Sequence, residues 1–150
     1  MGEAACTAMP CGKLDAMKPL TDLQALLEGL EPVLDPHPYA YARLDMLTET
    51  LCEIAFATFR EEEGVSIIAL LDDLETLGLE PIHICRRITL SVHSALEAVG
   101  LTASIAQALS ERGISANVVA ALHHDHVFVA EDRARDALEV LQALSRAARS

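Results

Sequence analysis

Tryptophan is absent from the chain, and only two tyrosines and three phenylalanines occur among its 150 residues. The core must therefore be built from Leu, Ile, Val and Ala, and a binding pocket is expected to be small or aliphatic rather than a stacking site. Basic residues are also scarce: 11 Lys and Arg stand against 23 Asp and Glu, a formal charge of −12. Nucleic-acid affinity comes from cations that neutralise phosphates, so a nucleic-acid partner is excluded. The same charge argues against docking on an anionic membrane surface. Cys6, Cys11, Cys52 and Cys85 include no CxxC pair. They read as free thiols of a reducing compartment, with no metal site. No apolar run approaches the ~20 residues of a membrane span, and no basic segment followed by an apolar run opens the chain. The expected location is the cytoplasm. GxSxG, P-loop and dinucleotide fingerprints are all missing, and no cofactor is implied. His93 and Ser94 are adjacent in an extended stretch and point to opposite faces, the wrong geometry for a base and its nucleophile. An enzyme is not expected.

What the chain does contain is 51% hydrophobic and 23% charged residues, the balance of a globular protein. Its length allows one domain or two very small ones. Residues 1–18 show no periodicity and read as a disordered leader. A first helix follows, with Thr21 and Gln24 in a capping-box pattern and Leu23, Leu26, Leu27 and Leu30 on one face. Asp35-Pro36-His37-Pro38 is expected to break the chain before a short strand at Tyr39 and Tyr41. Residues 46–60 fit both periods, with a strand favoured from about Glu53 into an EEEG turn and a hairpin partner at Val65–Leu70. Asp72 or Asp73 is placed to cap a short helix ending at Gly78. Pro81–Cys85 leads extended into the next unit.

The clearest patterns follow Arg86. Ile88, Leu90 and Val92 alternate with polar residues as in a half-buried strand. Leu101, Ile105, Ala108 and Leu109 fall on one helical face, closed by Gly113. Alternation returns from Ile114 to Leu122. A His123-His124-Asp125 turn leads to the apolar strand Val127–Val129. The last helix starts at Glu131-Asp132 and buries Ala134, Ala137, Leu138, Leu141 and Leu144.

The second half thus reads β-α-β-β-α and the first α-β-β-α-β. Each is one strand short of the ferredoxin-like β-α-β-β-α-β unit. Two incomplete halves are expected to complete each other's antiparallel sheets or to pair edges in a homodimer. The division expected is an N-terminal unit over 19–85 and a C-terminal unit over 86–150.

Glu97-Ala98-Val99-Gly100-Leu101-Thr102, followed by Gly113-Ile114-Ser115-Ala116-Asn117-Val118, resembles the ACT domain, a small ligand-binding module of amino-acid-regulated proteins. Closer still is the likeness to small stand-alone bacterial proteins with two ACT-like halves, to whose ending Asp125-His126-Val127-Phe128-Val129 is similar. The second half also resembles that of eukaryotic cytosolic arginine sensors. Many ACT domains carry Pro before the turn glycine, where this chain has Val99. The resemblance implies an α+β, ferredoxin-like fold and a ligand held where the strand–helix loop meets a neighbouring half.

Chemically, a zwitterionic amino acid needs donors for its carboxylate and an anion for its ammonium. Backbone amides around Val99, Gly100, Leu101 and Thr102 at a helix start would supply the first. Asp125, with Glu97 beside it, would supply the second. Structural roles compete: Ser94 and Glu97 also form a capping-box pattern, Gly100 would bend the chain, Asp125 would bond its own turn, and Asn117 would steady a loop. The function expected is a non-enzymatic amino-acid sensor acting through a regulated partner protein. The alternative is a protein–protein interaction module whose ligand site has decayed.

Overall fold

The structure is a computed structural model that describes residues 21–92 and 98–150. Chain packing divides it into two units, Tyr39–Ile84 and the combination of the segment ending at Pro38 with Cys85–Ser150.

The first unit starts within strand β1 (Pro32–Leu44) and continues through α2 (Glu49–Ile54), β2 (Ala55–Glu61), β3 (Gly64–Leu70) and α3 (Leu71–Thr76) to the opening residues of β4 (His83–Leu90). Thr48 caps α2 by accepting from the Leu51 N–H. The ambiguous stretch resolves into both states, helix to Ile54 and strand from Ala55. Glu61 pairs with Gly64 across the two-residue turn Glu62-Glu63, and Gly64 takes φ +133°. The hairpin expected from EEEG is present. Asp72 and Asp73 lie inside the first turn of α3, whose N-cap is Leu70, so neither is the cap. They act there as anions near a helix start. Ala40, Ala42, Leu51, Ile67, Ala69 and Leu74 form the core of this unit. The strand order is β2-β3-β1-β4. With β1 present, the unit does not lack its opening strand.

The second unit holds α1 (Leu23–Glu28), the beginning of β1, the rest of β4, α4 (Leu101–Ser110), β5 (Ala116–Ala120), β6 (Asp125–Ala130), a 3-10 turn at Glu131–Arg133 and α5 (Ala134–Ala148). Its strands run β1-β4-β6-β5, so the first part of β1 takes the place of the missing closing strand. Asp22 rather than Thr21 caps α1, accepting from the Ala25 N–H at 2.9 Å, while Gln24 bonds Glu28 and the Ala148 carbonyl. The carboxylate one position nearer the helix reaches the free amides first.

The expected break at Asp35–Pro38 does not occur, because β1 runs through it. Glu31 and Tyr41 accept from the N–H groups of Ser91 and Ile82, so the odd-numbered residues face β4. Pro32, Pro36 and Pro38 are even-numbered, and β3 pairs with β1 only from Tyr39 onward. Their missing N–H groups therefore fall on an unpaired side, where proline is tolerated.

Ile88, Leu90, Val127 and Val129 face the helices and pack with Leu26, Leu30, Ile105, Leu109 and Leu141. The stripe read for α4 is buried at Leu101, Ile105 and Leu109, and Gly113 takes φ +62° just beyond it. There the Ile114 N–H donates to the Leu109 carbonyl, satisfying an orphan acceptor at the helix end. The alternation read to Leu122 shortens to β5, ending at Ala120. Asp125 is not a turn residue. It is the first residue of β6, opposite Leu90 on one side and Ala120 on the other.

Candidate functional site

Directly opposed residues of an antiparallel ladder share a face. Asp125, opposite Leu90 and Ala120, thus lies on the helix-covered face of the second unit, at the end of the sheet where β4 gives way to the loop before α4. It is 9% exposed, and no side chain or backbone group among the described residues bonds its carboxylate. Burial pushes its pKa up, and His124 partly offsets this. The residue is largely covered, but its carboxylate oxygens are not sealed from solvent.

Gly100 is the N-cap of α4, with φ +103° and ψ −21° and no side-chain cap bond. The first intrahelical bond runs from the Ser104 N–H to the Gly100 carbonyl at 2.9 Å, leaving the preceding amides of the first turn for another acceptor. Leu101 is buried beneath the turn and anchors it, Thr102 is exposed, and Val99 stands 83% exposed. A methyl group at Gly100 would lie 2.9 Å from Leu23 Cδ2, so α1 supports this turn from below. No local pattern announces Leu23, which is remote from Gly100 in sequence.

These positions permit a specific expectation. Gly100→Ala should lower stability by about 1–3 kcal/mol, the usual cost of a non-glycine residue in a left-handed conformation. Adding Leu23→Ala should not restore it, because the strain is in the backbone. Urea unfolding of both variants checks this, and rescue by Leu23→Ala would show that crowding alone is responsible.

Glu97 lies outside the described residues, as do Cys6 and Cys11. Asn117 is not brought to Asp125: it is exposed, stands opposite Phe128, and belongs to the other face of the sheet. That face carries a polar row that includes Arg87, Thr89 and His126. Arg87 donates to Asp35 Oδ2, and the Asp35 carbonyl accepts from Arg86 Nε at 3.2 Å. Burial acts to raise the Asp35 pKa, but bonds from the His37 N–H, Arg87 and the His37 ring outweigh it, and the net shift is downward. His126 Nδ1 lies 3.1 Å from Thr89 Oγ1, and burial, Arg87 and His124 together lower the ring's pKa. Cys52 and Cys85 are free thiols, and burial lifts Cys85 to about 11, so it remains protonated. Among the described residues, no three His, Cys, Asp or Glu side chains converge as a metal site would require, and no helix is long and apolar enough to cross a membrane.

Family models described as ACT domains match residues 18–86 and 83–143. Among proteins of curated function, none matches significantly. A Vibrio cholerae protein, described as of unknown function and a possible transport protein, is similar at 38% identity and a TM-score of 0.73, over 82% of this chain and 95% of that one. An Agrobacterium tumefaciens protein shares the fold at 20% identity and a TM-score of 0.64, over 77% of this chain and 89% of that one. So does the ligand-free regulatory subunit of aspartate kinase from Thermus thermophilus, at 14% identity and a TM-score of 0.53, over 75% of this chain and 95% of that one. Both family models and the Vibrio likeness agree with the ferredoxin-like fold, and the chain belongs to the ACT-domain family.

Proposed function

We propose that this protein is a non-enzymatic regulatory sensor that binds an amino acid at the α4 end of its second unit. ACT domains are typically small-molecule regulatory modules, and one structural neighbour is itself described as a regulatory subunit. The observation that carries the reading is Asp125, largely covered and without a hydrogen bond among the described residues, at the start of β6 beside the end of β4, from which the chain leaves for Gly100 and α4. The ligand carboxylate accepts from the first amides of α4, where the helix dipole favours an anion. The ligand ammonium donates to Asp125, a charge-assisted bond of the stronger class. An ACT half of a second copy closes the site over the exposed Val99, making the protein a homodimer. Ligand that binds better to one arrangement of the dimer than to another shifts the balance between them, and a partner protein reads that shift.

A thermal-shift screen against the twenty amino acids tests this directly. A ligand present at about 100 times its dissociation constant adds about 2.7 kcal/mol, several degrees of melting temperature at this size. No shift from any amino acid, in well-folded protein, would transfer the function to partner binding without a ligand.

A further inference from the structure

At the opposite end of α4 a cavity of about 460 Å³ opens between the helix's C-terminal turn and α5. That volume lies within the range of small-molecule sites. Ile114, Val140 and Ala143 provide its apolar part. Arg112, Arg133 and Arg146 converge on it, in a chain with only 11 basic residues and a charge of −12. Glu139 and Asp136 complete the lining.

The charges divide into two sets. Arg133 is committed: Nε donates to Asp136 at 3.1 Å, and its terminal nitrogens donate to the Gly113 and Arg112 carbonyls at 3.4 and 3.3 Å. It caps the carbonyl end of α4 and forms a fixed wall. Arg112, Arg146 and Glu139 are different: all three are exposed, and among the described residues their side chains form no ion pair or hydrogen bond. Two guanidinium groups and one carboxylate therefore remain available around a small apolar floor.

We infer that this groove is a second ligand site, built for an acidic amino acid. Two carboxylates match Arg112 and Arg146, for which guanidinium groups are the preferred planar partners. An ammonium matches Glu139, and a short aliphatic body covers Val140 and Ala143. The net +1 of the available groups complements the net −1 of such a ligand. Glu139 disfavours a multiply charged phosphate, which would bring further negative charge against it. Because α4 spans ~15 Å, this site is separate from the one at Gly100.

The test is calorimetric titration of the full-length Asp125→Asn variant, in which the first site is disabled, with L-glutamate, L-aspartate, glutarate and L-alanine. Acidic amino acids should bind, and Arg112→Gln with Arg146→Gln should weaken them roughly tenfold to hundredfold, the worth of charge-assisted bonds. Glu139→Gln should remove the preference for glutamate over glutarate, which lacks the ammonium. Absence of glutamate and aspartate binding would overturn the inference, as would binding that survives the double arginine replacement or alanine binding as tightly as glutamate. Each readout is independent of whether the Gly100 site takes a ligand.

Discussion

Asp35→Ala is expected to cost about 1–3 kcal/mol, the range for leaving a largely covered donor without its acceptor. The side chains of Asp35 and Arg87 are only 14% and 20% exposed, so the guanidinium would remain withdrawn from water without this carboxylate. Loss of the bond from the His37 N–H adds to the effect. The pH dependence has a definite sign. The folded protein holds the Asp35 pKa below its ordinary 3.8, so its contribution is present in full above that value. It is lost as pH falls through the lower, folded value. The gap between wild type and variant should therefore be wide at pH 7 and close in acid. Urea unfolding across that pH range measures it. Replacing both partners together, as Asp35→Leu with Arg87→Met, should recover much of the loss, since a packed apolar pair leaves no buried charge. A loss under about 1 kcal/mol for Asp35→Ala would place the pair in the weak class of surface bridges.

Asp125→Asn is expected to abolish the stabilisation that an amino acid confers through the Gly100 site, removing about 2.7 kcal/mol at 100 times the dissociation constant. The same variant should melt higher than wild type when no ligand is present. Burial raises the Asp125 pKa. A group shifted in this direction contributes stability that is fully present below its unfolded value of 3.8 and is lost as pH rises through the folded value. At neutral pH the wild type therefore carries an ionised carboxylate in a poorly solvated position, and the amide relieves it. Below pH 3.8 the two proteins should converge. Opposite signs for stability and binding separate a ligand-binding carboxylate from a structural one. Thermal melts with and without ligand over this pH range decide between them: a variant that melts lower than wild type without ligand would make Asp125 a structural residue.

Much of the second unit was legible because its signals are local. Leu101, Ile105 and Leu109 repeat at helical spacing, Gly113 has a backbone role at its own position, and Ile88 and Leu90 alternate with polar neighbours. The Glu61–Gly64 turn is equally self-contained. Such patterns depend only on helix and strand periods and on backbone sterics, and they carried the family motif with them.

Other features had no local signature. Prolines at 36 and 38 read as part of a break, and only the neighbouring strands show that their missing N–H groups lie on an open side. Asp22 replaced Thr21 as the α1 cap because geometry, not residue type, decides which oxygen reaches the amides. Period-2 alternation divides a strand into two faces but does not say which residue begins it. That is why Asp125, read as a turn, proved to be a buried strand residue, while Asn117 lies on the opposite face. By itself, the sequence determined the helices and strands of the second unit and its family, because period and turn chemistry are properties of neighbouring residues. The Asp35–Arg87 pair, the support of Gly100 by Leu23, and the burial of Asp125 were decided by the tertiary structure alone. Each depends on residues tens of positions apart being brought into contact, and no local period encodes that.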